Sequence, residues 1–322
     1  MKIAIIGNIH SDGWKVLEKG YFESFEIFNF DENNLKKELI DVDGILVRTA
    51  NLSSNVLSDC HNLKIVARHG VGYDNVDLEY LNQNKIALGI TGTSNAVSVA
   101  EHVLTSFLYL TKNIHLSDKL TREGKFNEKS SLPNFFELYK KNILILGFGR
   151  IGKAVAKRCL GFEAKVYVFD PFINKIDIET HNCIPIDRIE GIKLADYISI
   201  HLPLNKDTKN FISEKELSLM KKTIIIVNTA RGGIINEQSL ITSLQNKKIL
   251  GAALDVFETE PPAKNNPIFK LSNVLLSPHN AALTLECRKR MATEAAENIV
   301  HFLSNKKNLN LNNIVNRKEL NL

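Results

Sequence analysis

The hydrophobic positions of this chain fall into short uninterrupted runs with amphipathic stretches between them. "KIAIIG" (2–7), "FEIFNF" (25–30), "DGILVRT" (43–49), "LKIVARHG" (63–70) and "IALGIT" (86–91) form a first series. Apolar runs of this length read as strands buried on both faces, and the helical segments between them read as crossovers of βαβ units. The period then changes. In "VSVAEHVLTSFLYLTKN", from Val97 to about Asn113, apolar residues fall at 97, 100, 103, 104, 107, 108 and 110, a helical spacing. Ser94 or Asn95 is placed to cap that helix. The following "HLSDKLTREGKFNEKSSLPNFFELYKK" is polar with weak patterning and reads as a connection.

A second series opens at "NILILG" (142–147). It continues through "KVYVFD" (165–170), "YISIHL" (197–202), "TIIIVNT" (223–229), "ILGAALDV" (249–256) and "NVLLSP" (273–278). The pattern predicts an α/β fold with two parallel-sheet series joined by a long helix. The tail, 285–305, is helical, and a helix in that position commonly packs back onto the first series.

A chain of 322 residues accommodates about two domains. With 44% hydrophobic and 24% charged residues the composition is that of an ordinary soluble protein. The net charge of +5 is interspersed with 36 acidic residues, which argues against nucleic acid as a partner and leaves an anionic substrate or cofactor open. Cys60, Cys159, Cys183 and Cys287 include no CxxC pair, so neither a metal site nor a disulfide framework is expected, and the reducing cytoplasm is the expected compartment. The N-terminal apolar run is too short for a signal peptide, and no stretch approaches the length of a membrane span.

The most specific segment is "NILILGFGRIGKAVAKRCLGFEAKVYVFD". Gly147, Gly149 and Gly152 form GxGxxG after a strand and before a helix, and Asp170 ends the next strand, 23 residues after Gly147. In that context the glycines permit a tight turn, close approach of backbone to a pyrophosphate and close helix–strand packing. The helix N-terminus offers N–H groups to phosphates. Asp170 would accept from both ribose hydroxyls and repel a 2′-phosphate. The polar residues just beyond the later strands are then the ones to inspect, because ligands gather at the carboxyl ends of such strands. Arg231 follows one strand, Asp255 ends the next with Glu260 five residues on, and His279 follows the third. An arginine fork holds a carboxylate and a neighbouring carbonyl oxygen. An imidazole gives or takes a proton as hydride moves to or from the keto carbon. A carboxylate beside it favours the protonated form and sets the tautomer.

In order and spacing, "ILGFGRIG", "VFDPF", "HLPLNKDTKNFIS", "NTARGGIINEQSL", "GAALDVFETEPP" and "SPHNAA" resemble the D-isomer-specific 2-hydroxyacid dehydrogenases, across nearly the full chain. The resemblance implies two Rossmann-like, doubly wound parallel-sheet domains with the active site in the cleft between them. Residues 1–96 plus 281–322 would bind substrate and 97–280 would bind NAD. It implies Arg231 as substrate anchor, Glu260 as partner of the imidazole and His279 as acid/base. It further implies a cofactor set of Gly147, Gly149, Arg150, Ile151, Gly152, Asp170, His201, Pro203, Thr208, Thr229, Ala230, Arg231, Asp255 and His279. The substrate set would be Arg231 and His279 with Arg48, Arg68, Val71 and Gly72. The last two belong to "ARHGVGYDNVD", which resembles the family's carboxylate loop.

The first half is closest in pattern to the phosphoglycerate dehydrogenase branch, which often carries a lysine where Asn51 stands. Because the chain ends at 322, the regulatory domain of many members of that branch is expected to be absent. Hydroxypyruvate or glyoxylate reductase and a D-lactate-type dehydrogenase are the alternatives within the family. A formate dehydrogenase is disfavoured, since that enzyme usually has glutamine at the position of Glu260. A cofactor-sensing regulatory protein on the same scaffold could retain the same three residues. Turnover, as opposed to binding alone, separates it from an enzyme.

The helix from Val97 carries Phe107, Leu108, Tyr109 and Leu110 in succession, more than one apolar stripe. The excess suggests a subunit interface, and the resemblance implies a two-fold homodimer. Light scattering at micromolar concentration is expected to give a dimer mass, and a monomer mass would contradict it.

Overall fold

Uninterrupted runs of Ile, Val, Leu and Ala are covered from both sides in this protein, whose computed structural model describes residues 1–304 and 308–322. The chain divides into two compact units, Met1–Asn95 with Leu283–Leu322, and Ala96–Ala282.

The first unit contains β1 (Lys2–Ile6), β2 (Glu23–Ile27), β3 (Gly44–Val47), β4 (Ile65–Arg68) and β5 (Ala87–Gly89), in the order β2-β1-β3-β4-β5. All pairings are parallel. Leu35, Val56, Leu57 and Leu81, from short helices, and Leu39, the residue that ends one of them, cover one face. The expected tail helix, Leu285–Ser304, covers the other with Ala292, Ala295, Ala296 and Ile299, all without exposure. Asn305, the last residue of the expected range, lies outside the described residues. Small side chains let this helix approach the sheet closely.

The edge strand β5 is closed by the tail: Ile314 bridges Gly89 in antiparallel sense, and buried Asn316 pairs with the strand through its side-chain amide. Asn316 Oδ1 accepts from Leu88 N–H at 2.9 Å, and Nδ2 donates to Ile86 O at 2.8 Å and Asn82 Oδ1 at 2.9 Å.

The second unit contains β6 (Asn142–Leu146), β7 (Lys165–Phe169), β8 (Ile184–Pro185), β9 (Tyr197–Ile200), β10 (Ile225–Asn228), β11 (Gly251–Leu254) and β12 (Val274–Leu276). Their order is β12-β11-β10-β9-β6-β7-β8, parallel throughout. Helices Ala96–Lys112 and Arg150–Gly161 pack on one face through Ala100, Val103, Phe107, Val155, Ala156 and Cys159. Helices Arg188–Leu194, Glu214–Leu219 and Glu237–Gln245 pack on the other through Ile192, Leu217, Leu240 and Leu244. The order reverses at β6, which lies between β7 and β9. A crevice opens at the carboxyl ends of strands at such a reversal. No helix among the described residues is long and apolar enough to cross a membrane.

Three local expectations are corrected. The stretch read as a connection contains a helix, Ile114–Arg122, none of whose residues is buried. It is supported instead by Asp118–Arg122 and Lys119–Glu123 ion pairs and by stacking of His115 on Tyr109, so its apolar pattern is faint. The two-residue β8, ending in proline, is too short to leave a pattern. Asn95 does not cap the helix from Ala96 through its side chain, since its Oδ1 has no partner among the described residues, and Ser94 Oγ donates to Glu294.

Replacing Asn316 with leucine would orphan the Leu88 amide and the Ile86 carbonyl in a buried position. Such groups cost about 1–3 kcal/mol each. Urea unfolding is therefore expected to show a loss of roughly 2–4 kcal/mol, whereas a solvent-exposed tail would give no change.

Candidate active site

In the second unit the cofactor candidates gather at the reversal. Gly147 turns the chain out of β6 with φ +94°. A Cβ on Gly152 would sit 2.1 Å from the Gly147 carbonyl oxygen, so only glycine lets the helix approach the strand this closely. No side chain caps the helix at Gly149, where an added Cβ would meet no atom within 4 Å. The first turn thus faces open room, with Arg150 exposed and Ile151 half-buried. Asp170, at the end of β7, is aimed by two amides: Oδ2 accepts from Phe148 N–H at 2.8 Å and Oδ1 from Phe172 N–H at 2.9 Å. This set can hold a dinucleotide, with the helix N-terminus taking the pyrophosphate and the carboxylate taking the ribose hydroxyls.

His201 follows β9. The residue is partly exposed, but burial of its ring pushes the imidazole down to about 3, so the ring is neutral, with Nε2 2.7 Å from Ser199 Oγ. In the loop beyond, Thr208 Oγ1 donates to Pro203 O at 2.6 Å and accepts from Asn205 N–H at 2.8 Å. Thr229 Oγ1, after β10, is buried without a partner among the described residues.

Arg231, Glu260 and His279 come from three successive strand ends, and the structure brings them together. Buried Asn228 shapes the first turn: Oδ1 accepts from Ala230 N–H at 3.0 Å and Nδ2 donates to Arg231 O at 2.8 Å. A Cβ on Gly232 would lie 1.7 Å from Phe257 O, so the Arg231 turn packs backbone to backbone against the turn leading to Glu260. Glu260 Oε1 accepts from Phe257 N–H at 3.1 Å, and Oε2 lies 2.7 Å from His279 Nδ1. Burial of Glu260 works to raise its pKa. The His279 hydrogen bond, the Phe257 amide and the charge of Arg231 outweigh it and hold the carboxyl below its usual range. An ionised carboxylate only accepts, so Nδ1 carries hydrogen and Nε2 is left to exchange a proton. The imidazole is half exposed and has access to a ligand.

Asp255 is 2% exposed and does not project freely from its strand end. Oδ1 accepts from Ser277 Oγ at 2.5 Å and Asn280 N–H at 2.9 Å, and Oδ2 from Ala281 N–H at 3.0 Å. It organises the turn that carries His279.

In the first unit, Arg48 follows β3, Arg68 ends β4, and Val71 and Gly72 lie in the loop after β4, all half-buried. Arg68 Nε donates to Asn75 Oδ1 at 3.4 Å, and its Nη1 donates to His69 O. His69 is buried, with Nε2 unpartnered among the described residues. Burial first, and then the charges of Arg48 and Arg68, push it down to about 4, so it is a neutral imidazole beside two cations.

Sequence reasoning did not single out His69, Asn228 or Ser277. His69 lay in plain view inside "ARHGVG", directly after the strand that ends in Arg68. Nothing in the sequence signals Ser277, whose partner is 22 residues away.

The family model for the D-isomer specific 2-hydroxyacid dehydrogenase, NAD binding domain, matches residues 104–281. The chain is 35% identical over 305 residues to D-3-phosphoglycerate dehydrogenase of Methanocaldococcus jannaschii, covering 94% of this chain but only 57% of the relative's length. It is 34% identical to glyoxylate reductase of Pyrococcus furiosus, covering 94% of this chain and 92% of that protein. Among solved structures, D-lactate dehydrogenase of Aquifex aeolicus, complexed with NAD and lactic acid, superposes with a TM-score of 0.84 at 26% identity, covering 97% of this chain and 98% of that one.

Asp170 ends β7 with both oxygens aimed by the chain, and Pro171 and Phe172 follow in place of an arginine. Steady-state kcat/KM is expected to favour NAD over NADP, and Asp170→Ala is expected to narrow the ratio. A wild-type preference for NADP would refute this.

Proposed function

The chain belongs to the D-isomer specific 2-hydroxyacid dehydrogenase family, and we propose that it is an NAD-dependent dehydrogenase interconverting a short 2-keto acid and the corresponding D-2-hydroxy acid. The observation that carries this reading is the 2.7 Å contact between His279 Nδ1 and Glu260 Oε2 beside Arg231. NAD, when bound, supplies the hydride acceptor or, reduced, the hydride donor. Arg231 holds the substrate carboxylate and the keto oxygen with its planar fork. Hydride arriving at the keto carbon leaves an electron pair on that oxygen. The imidazolium of His279 gives its Nε2 proton to it, and in oxidation the neutral ring removes the proton again. Glu260 stays ionised through neutral pH and stabilises the charged ring. We take the assembly as a cytoplasmic homodimer; within the unit, Leu108 and Leu110 pack on the sheet core and Tyr109 stacks on His115.

For the substrate we favour 3-phosphoglycerate and its keto acid. Arg48 and Arg68 place two cations around His69 in the first unit, a setting suited to an acid bearing a second anionic group. Hydroxypyruvate or glyoxylate is the second reading, favoured by neutral Asn51. A panel of phosphohydroxypyruvate, hydroxypyruvate, glyoxylate and pyruvate, followed by NADH absorbance, decides among them. NADH binding with no turnover of any keto acid would point to a cofactor sensor instead.

His279→Ala is expected to lower kcat by about 10²–10⁴-fold, the usual contribution of an acid–base group, with NADH affinity nearly unchanged. A near-normal kcat would place the proton donor elsewhere. Glu260→Gln removes a charge that favours the imidazolium. Reduction needs that proton and slows as pH rises, so the alkaline limb of the variant's profile is expected at lower pH than in the wild type. An unmoved or upward-shifted limb would contradict the pairing.

A further inference from the structure

His279 stands on backbone that L residues rarely adopt, with φ +51°. Asp255 keeps it there. Its carbonyl accepts from His279 N–H at 2.8 Å, and its carboxylate accepts from Asn280 N–H at 2.9 Å and Ala281 N–H at 3.0 Å. Three successive amides at the left-handed residue therefore end on one buried side chain and its own carbonyl.

The carboxylate is aimed in turn by Ser277, whose Oγ lies 2.5 Å from Asp255 Oδ1. A hydroxyl has one hydrogen, and a carboxylate has none to offer, so that hydrogen goes to Asp255. His102 Nε2 lies 3.2 Å from the same Oγ and must then be the donor in its contact. Ser277 is thus held from both sides. Its hydroxyl cannot turn to another acceptor without losing the bond to Asp255 and misdirecting the lone pair that His102 uses. His102 sits on helix Ala96–Lys112, 175 residues before Ser277, in the same unit.

We propose that His102 is a positioning residue for His279, acting through Ser277 and Asp255. This rests on the proposed acid–base role of His279. The physical argument is that a buried carboxylate keeps the orientation its donors impose. If the hydroxyl is released, the carboxylate loses one of its three donors and is oriented less firmly. The amides of Asn280 and Ala281 then loosen, and the imidazole drifts from Glu260. Misplacement by about 1 Å can cost on the order of 10²-fold in rate. The loss falls mainly on the proton-transfer step, since none of these groups lies at the glycine turn or the helix N-terminus that takes the pyrophosphate.

The test combines hydrogen exchange of the 277–282 segment with steady-state kinetics on the full-length protein. His102→Phe keeps an aromatic ring and removes the donor, while His102→Gln restores an N–H. In His102→Phe, exchange at 279–281 is expected to quicken and kcat for keto-acid reduction to fall about tenfold, with KM for NADH within about twofold. His102→Gln is expected to recover both, and His102→Phe should add nothing in a Ser277→Ala background. Wild-type exchange in His102→Phe, no recovery with glutamine, or additive losses would overturn the proposal. If the wild type turns over no keto acid, the functional reading fails, and the exchange data alone still decide whether His102 holds the turn. Should His102→Phe not fold, Ser277→Ala decides: unchanged exchange overturns the proposal, and faster exchange supports it.

Discussion

All strands of the second unit run in the same direction, and that single constraint organises everything chemical about it. A parallel strand must be reached by a crossover, so every carboxyl end arrives at the same edge of the sheet. β6, β7, β9, β10, β11 and β12 deliver Gly147, Asp170, His201, Arg231, Asp255 and His279 to that edge, from positions more than a hundred residues apart in the chain. The reversal of strand order at β6 parts the crossovers and leaves the crevice there. Had β11 or β12 run the other way, Glu260 and His279 could not meet.

Within that frame, precision comes from backbone contacts and buried polar side chains. Gly232 lets two turns touch main chain to main chain, which sets how far Arg231 stands from the Glu260 turn. Asn228 ties Ala230 and Arg231, and Asp255 ties Asn280 and Ala281. Neither side chain need meet a ligand to matter. Each fixes a turn that a bare chain would leave to fluctuate, and a polar group buried at a strand end must find such partners or carry a desolvation penalty.

The first unit uses the same topology for a different balance of charge. Its strand ends gather Arg48 and Arg68, with a neutral buried histidine next to them. The second unit gathers an arginine, an ionised carboxylate and an imidazole. The first set suits an anion, and the second suits a reaction in which charge appears on an oxygen and is quenched by a proton.

The alternation of apolar runs and amphipathic stretches, together with GxGxxG before Asp170, was enough to anticipate parallel sheets, their approximate strands and the place where a cofactor would sit. These are properties of neighbours along the chain: burial on both faces demands continuous apolar runs, and a turn that approaches a helix demands glycine. The motif at Arg231, Glu260 and His279 was legible as three strand ends, though not as a contact. The helix Ile114–Arg122 was missed because surface ion pairs stabilise it without an apolar stripe, and β8 because two residues carry no period. Only the tertiary structure decided that Glu260 and His279 lie 2.7 Å apart, that Asp255 is spent on the turn beneath His279, and that His102 reaches that turn through Ser277. Hydrogen bonds between residues distant in sequence depend on strand order and on the direction each side chain takes after folding, and neither is written in the local pattern.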